Sequence, residues 1–464
     1  MKFSVPPAVA FLAPRLTRRR PREIKGDKAS FFKTLLLTVL LVAGAARADA
    51  AHDGEGESTE LSPLSVQWGG HVKSRAAVSW PPSDSFLAGE GSGPLWDVQN
   101  ELRLVADASW GDQAKLEVHH ESFFLAGDTL KLLSSSQASP YAGLAGVMND
   151  DRRLMDLTWT YRQSEDAVFV HRFDRLSASW FSPWGMVKAG RQAISWGDGM
   201  LFNPFDVLAP FAPTALDRDY KQGEDALLVQ LAPSGMPGDL QLVHVPRREP
   251  SSGDLRWDQS SLAGKYRFFV PATEWEGTLL AGRHFDDFVA GAGATGYVGG
   301  AACRINATWT WLEQESSGFA SLVANVDYGW VWGINFYGWL EYYYNGLGEG
   351  AGDYGDAWER EALADRLERG ELFVRGRHYV DTQLRAELHP LLNLFLVTIT
   401  NVTDPSGVVQ PYLVWDLDEN LQLNVSGTIY WGSRETEYGG TPVTGTDFTD
   451  RPANNVFTWL TLYF

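Results

Sequence analysis

The sequence predicts an all-β chain closed into a single antiparallel transmembrane β-barrel of about eighteen strands, within a range of sixteen to twenty. Three observations carry this. Long runs alternate apolar and polar residues, connections between them are short and long in turn, and the last strand alternates up to a terminal Phe464.

Alternation comes first, because side chains along a strand point to opposite faces. In 301–311 one face reads Ala301, Cys303, Ile305, Ala307, Trp309 and Trp311. The other reads Ala302, Arg304, Asn306, Thr308 and Thr310. Residues 421–431 repeat the pattern, with Leu421, Leu423, Val425, Ile429 and Trp431 against Gln422, Asn424, Ser426 and Thr428. In 372–388, Leu372, Val374, Val380, Leu384 and Leu388 oppose Arg375, Arg377, Asp381, Gln383, Arg385 and Glu387. Runs of eleven or more residues exceed the five to six usual in a sandwich. Trp68 and Trp80 share a face twelve residues apart. At about 3.3 Å per residue and a tilt of about 40°, that rises roughly 30 Å, the height of an apolar belt.

Strands are expected near 65–80, 95–109, 113–126, 165–180, 185–195, 222–233, 238–247, 258–270, 274–285, 287–298, 300–312, 319–332, 334–346, 372–388, 391–402, 407–418, 420–432 and 454–464. Residues 154–162 are the least secure stretch and offer one more. Even-numbered strands then end in short turns, read as periplasmic, and odd-numbered ones lead into most of the long loops, read as extracellular. Leu460, Leu462 and Phe464 share the apolar face of the last strand. This resembles the C-terminal signature by which outer-membrane proteins are read by the barrel-assembly machinery.

The start of the chain reads as an export signal. A basic stretch, an apolar run from Leu35 to Ala46, and Ala46-Arg47-Ala48 follow the order of a secretory peptide. The expected division is 1–48 signal peptide, 49–64 short periplasmic segment and 65–464 barrel. Residues 1–49 hold ten Lys and Arg against three Asp and Glu, leaving 29 against 55 and a net charge of −26. That excess disfavours nucleic acid as a partner. It suits outer-membrane lipid and lipopolysaccharide, with divalent cations bridging acidic loops. The lone Cys303 forms no internal disulfide, so stability must come from closure.

The segment richest in charge is 171–225. It contains His171-Arg172-Phe173-Asp174-Arg175, Gly190-Arg191-Gln192-Ala193-Ile194-Ser195-Trp196-Gly197-Asp198-Gly199, Asn203-Pro204-Phe205-Asp206 and Asp217-Arg218-Asp219-Tyr220-Lys221. Over about fifty residues it resembles the alginate-export-type barrels and related porin-like proteins. That resemblance implies eighteen strands, a pore lined by arginine and a monomer. By composition the loop 196–221 is aromatic and apolar (Phe202, Phe205, Val207, Leu208, Phe211) and should fold inward rather than face water. The faces of 165–180 and 185–195 do not separate cleanly, so a β-bulge is expected there.

Candidate constriction residues are Arg172, Arg175, Arg191, Asp198, Asp206, Asp219, Arg375, Arg377 and Arg385; a salt-bridged loop anchor is the equal alternative. Further inward candidates of both signs are Lys73, Arg75, Arg103, Arg304, Asp97, Glu101, Glu341, Asp381 and Glu387. Opposed charges across a pore favour polar solutes. Residues 356–370 read as a short amphipathic helix in an extracellular loop, a lid or a solvated element. His119 and Glu121 converge on one strand face, but two ligands do not make a metal site. No catalytic motif and no cofactor signature is recognised. The expected function is a channel for a small polar or anionic solute, saccharides included. The competing expectation is a non-transport barrel (scaffold, adhesin or conduit sheath) with an occluded lumen.

Overall fold

The computed structural model describes residues 64–464 apart from 89–92, 136–148, 214–219, 233–237, 272, 316, 353, 356, 358–359 and 444–445. The expected signal peptide and nearly all of the segment after it lie outside the described residues, as does Asp219.

Nineteen strands form one sheet. They are β1 Leu64–Trp80, β2 Leu95–Trp110, β3 Ala114–Gly127, β4 Thr158–Gln163, β5 Ala167–Ser182, β6 Gly185–Gln192, β7 Glu224–Leu231, β8 Gly238–Arg248, β9 Leu255–Phe269 and β10 Glu276–His284. The series continues with β11 Asp287–Val298, β12 Ala301–Leu312, β13 Ser317–Trp332, β14 Ile334–Asn345, β15 His378–His389, β16 Leu392–Asn401, β17 Ser406–Asp418, β18 Leu421–Trp431 and β19 Asn454–Tyr463. Among the described residues two α-helices, α1 Asp128–Ser135 and α2 Glu361–Arg369, lie between strands. Every pairing is antiparallel between sequence neighbours, except that β3 also pairs β5, and β19 pairs β1 to close the ring. Gly70 and Phe464 exchange backbone hydrogen bonds of 2.9 and 3.1 Å, so the terminal residue is part of the closure.

The barrel has eighteen staves, and β4 accounts for the nineteenth strand. One edge of β5 pairs with β3 along its length, from Ala114↔Trp180 to Ala126↔Ala167. The other edge pairs with β6 over Leu176–Ser182 and with β4 over Val168–Arg172. β4 and β6 therefore share one stave, end to end. β6 and β7 are only eight residues long, and the chain between them leaves the wall. The gap is refilled from residues 150–163: Arg248 N–H donates to the Arg152 carbonyl at 2.9 Å beside β8, and β4 returns beside β5.

Strand positions agree with the alternation to within a few residues, with one correction. The expected strand 372–388 begins at His378, so Arg375 and Arg377 lie before it. The Arg375 N–H donates to the Glu437 carboxylate at 2.6 Å and the Gly376 N–H to the Tyr379 hydroxyl at 2.6 Å, itself bound to Glu437, instead of to a ladder partner. The expected bulge is present. Between β3 and β5, His119 pairs with Arg175 and His120 with Phe173, which leaves Asp174 as the extra residue.

Outward faces carry large apolar side chains. Trp68, Trp110, Trp180, Trp184, Trp332 and Trp415 mark the short-turn end, and Trp80, Trp96, Trp257, Trp309 and Trp431 the other. Trp332 is 81 % and Trp68 66 % exposed in the isolated chain, which only an apolar surrounding makes favourable. Inward faces carry polar and charged groups such as His71, Lys73, Arg103, Glu121, Asn306 and Glu341, all buried. Ile305 sits mid-strand on the outward face of β12. Ile305→Arg is expected to lower the unfolding free energy of the barrel in lipid bilayers by about 2–4 kcal/mol, read by denaturant titration.

Candidate functional site

The chain between β6 and β7 is fastened inside the barrel by four kinds of contact. The first is apolar. Ile194, Trp196, Phe205 and Leu208 pack on Ala226, Val243, Val245, Ala263, Leu280 and Val289, inward residues of β7 to β11. Phe202 continues along the wall to Val323, Tyr343, Tyr379, Ile399 and Val408, and stacks on Tyr343 at 4.4 Å. Gly197, at φ +86, makes a turn that other residues rarely make. Gly291 lets the loop approach, since a Cβ there would lie 2.7 Å from the Phe205 ring.

The second contact is a carboxylate. Glu341 on β14 accepts the N–H groups of Met200 (2.6 Å), Leu201 (2.9 Å) and Phe202 (2.9 Å), and also the Asn325 amide at 3.1 Å. Three successive backbone donors converging on one carboxylate make an anion nest at the loop tip. The third is an ion pair at the root. Lys221 donates to both oxygens of Asp206 and to the Ile194 carbonyl. The fourth is a cation–π stack, in which Tyr220 lies against His71 and under the Arg103 guanidinium at 3.9 Å.

Arg103 belongs to a buried charge network on β1 to β5. It donates to Glu121 at 3.0 Å and Asp174 at 2.7 Å. Arg172 donates to Glu121 at 2.6 Å, Arg175 to Asp174 at 2.6 Å, and His71 pairs with Glu101 at 3.0 Å. The bulge at Asp174 is what lets Arg172, Asp174 and Arg175 all reach this network. Arg175 also donates to the Lys221 carbonyl, and Gly223 N–H donates to Asp174 at 3.0 Å, so the network grips the loop root.

The candidate residues therefore separate. Arg172, Arg175 and Asp206 hold the loop or the network beside it. Asp198 is at the tip, where its carboxylate accepts from Thr295 at 3.2 Å and its carbonyl from Asn325 at 3.0 Å. Arg191 is elsewhere. It is buried at the seam of the refilled wall, donating to Asp225 (2.8 and 3.0 Å), Asp150 (2.9 Å) and the Met155 carbonyl (2.7 Å). Arg375 binds Asp450 and the Glu437 carbonyl, and Arg377 the Gly348 carbonyl at 2.9 Å, both among the loops of the long-loop end. Arg385 lies on β15 with its guanidinium 5.8 Å from the Tyr337 ring. His119 pairs with Asp107 while Glu121 is engaged by arginines, so those two do not converge on a common ligand. α2 is docked rather than solvated: Leu363 is fully buried, packs with Phe319 and Leu347, and Arg366 binds Asp287.

Sequence reasoning passed over Lys221, Tyr220 and Glu437 as site residues, and placed Glu341 inward without a role. Lys221 and Tyr220 stood in a motif already marked by its charge. Glu437, which accepts from Tyr379, Asn401 and two backbone N–H groups, had no signal beyond being an acid in a loop.

Burial pushes the Asp206 carboxyl up to about 6, only partly countered by Lys221, whose amine burial pushes down against the pull of Asp206. A carboxyl held above its unfolded value stabilises the fold fully below about pH 4 and loses that contribution as pH rises through 6. The stability difference between the native protein and Asp206→Asn is thus expected to change between pH 4 and 6 and to be level above about pH 7, by denaturant titration at each pH. Glu341→Leu removes the acceptor of three N–H groups. Exchange of the Met200–Phe202 amides is expected to accelerate by at least about 100-fold, measured by hydrogen–deuterium exchange.

Closure, the aromatic belt and the polar interior define the class: a multi-pass β-barrel of the bacterial outer membrane. Among solved structures, the chain is similar to OccAB1 of Acinetobacter baumannii, with a TM-score of 0.51 at 8% identity over 86% of this chain and 96% of that one. OccAB2 of the same organism gives 0.49 at 10% identity, over 86% and 98%. Wzi, an outer-membrane protein involved in group 1 capsule assembly in Escherichia coli, gives 0.48 at 9%, over 85% and 84%. The likeness to OccAB1 is one of fold. No family model matches the sequence, and no curated protein matches it.

Proposed function

We propose that the protein is a porin-like channel that passes small polar or anionic solutes across the outer membrane, and not an enzyme. The observation that carries this is the loop between β6 and β7. It is fastened within an eighteen-stave wall at root, tip and return leg, as a constriction loop must be to set a fixed bore. The wall from β15 through β19 to β1 supports solutes of negative charge. There Arg75, 4.5 Å from the Phe457 ring, and Arg385, 5.8 Å from Tyr337, keep part of their surface accessible. The ring quadrupole orients these guanidinium groups without neutralising their charge. The long-loop end is taken to face outward against lipopolysaccharide, with the short turns and Phe464 toward the periplasm, where the assembly machinery would meet Leu460, Leu462 and Phe464. The motif around Arg191 adds acidic saccharides to the solutes to be tried.

In planar bilayers the refolded barrel is expected to give stable single-channel steps with anion preference in the reversal potential. Arg385→Glu is expected to shift that preference toward cations by about 2-fold or more. A silent membrane, silent also after Glu341→Leu, would move the protein to the occluded scaffold class.

A further inference from the structure

A cavity opens at the long-loop end, between residues 201–213 of the inward loop, the ends of β10 to β14, and the chain following α2. Its volume is about 90 Å³ and it is open at the mouth, so a ligand would seat one edge in it and keep the rest at the surface. Its lining combines aromatic and hydroxyl side chains. Phe211 and Phe373 line it and keep 41 % and 38 % of their surface exposed, although each stands beside well-buried neighbours such as Leu208 and Val374. Thr308, Thr310 and Ser321, inward residues of β12 and β13, line it with hydroxyl groups.

Charges around the cavity are already matched to one another. Arg366 binds Asp287, Glu371 is bound by Arg369 at 2.6 Å and by His284 at 3.2 Å, and Asp206 holds Lys221. Despite burial, Arg369 and His284 keep the Glu371 carboxyl well below its ordinary range, so that acid stays committed to its partners. An ionic ligand would have to displace one of these buried pairs, which is costly. A ligand with an apolar ring face and a hydroxylated edge would find aromatic surface and the Thr308 and Thr310 hydroxyls in the same lining, without disturbing an ion pair.

We infer that this cavity is a binding site for a neutral, ring-shaped polyhydroxylated ligand, a saccharide unit, at the mouth of the channel. The inference deepens the channel reading and names one solute class for it. The site lies on the loop end, above the constriction formed by Met200–Phe202 and Glu341. Solutes would reach it before the narrowest part of the lumen.

Isothermal titration of the full barrel in lauryldimethylamine-oxide micelles tests this, with D-glucose, maltotriose and D-glucuronate as probes. Saturable binding of the two neutral sugars is expected, with glucuronate weaker. Phe373→Ala and Phe211→Ala are each expected to weaken neutral-sugar binding by about tenfold, the worth of one aromatic contact. Phe373→Tyr should retain it, which separates loss of the ring from loss of the fold. No saturable binding of either neutral sugar, tighter binding of glucuronate, or binding indifferent to both alanine variants would each overturn the inference. Bilayer conductance is recorded on the same preparations. A conducting barrel that binds no sugar defeats the saccharide site and leaves the channel standing. A sugar-binding barrel that never conducts defeats the channel and leaves the site.

Discussion

Everything in this protein depends on closing the ladder between β1 and β19. In hydrocarbon no water satisfies a free N–H or C=O, so a sheet edge within the membrane costs several kcal/mol for each exposed group. Ten residue pairs from His71↔Tyr463 to Trp80↔Asn454 remove the edge. Once the ring is closed, side chains can point only toward lipid or toward the interior, and the period of two in the sequence becomes an apolar outside and a polar inside. The same constraint explains β4. Where β6 and β7 stop short so that their connection can enter the lumen, the upper wall would be open on both sides. The chain from 150 to 163 supplies the missing backbone partners, and Arg191 ties it to Asp225 and Asp150.

The interior is governed by a second constraint, that charge removed from water must be matched. Arg103, Arg172, Arg175, Glu121 and Asp174 pair with one another, and the loop is attached through three of them, Arg103, Asp174 and Arg175. The loop is held by contacts of different kinds: apolar area along β7 to β17, one carboxylate capturing three N–H groups, an ion pair and a cation–π stack. Such a segment has little freedom to swing as a gate. Its chemistry fits a fixed narrowing. The charged residues of the motif meet one another and hold the loop.

Much of the fold was legible because alternation is local. The strand expected at 300–312 is Ala301–Leu312, and the broken faces of 165–180 were a true sign of the bulge at Asp174. β15 shows where local reading stops. Leu372, Val374, Arg375 and Arg377 continue the alternation in sequence, yet Glu437, some sixty residues on, takes the N–H of Arg375 and holds the Tyr379 hydroxyl that takes the N–H of Gly376. Competition from a distant acceptor leaves no trace in the periodicity of the strand it shortens.

What the sequence determined by itself was the class of fold, the strand positions and the face each side chain takes, since these follow from neighbours two residues apart. It also marked 196–221 as too apolar for water. The tertiary structure alone decided which charges meet. Glu341 faces inward by alternation, but only the path of the loop brings it to Met200–Phe202. Arg191 reads as one more motif arginine, but the short β6 and the chain folded back from 150–157 place it in the wall seam. Parity along a strand is a short-range property of the backbone, whereas the partner of an inward charge is set by the stagger of the whole ring and the route of its loops.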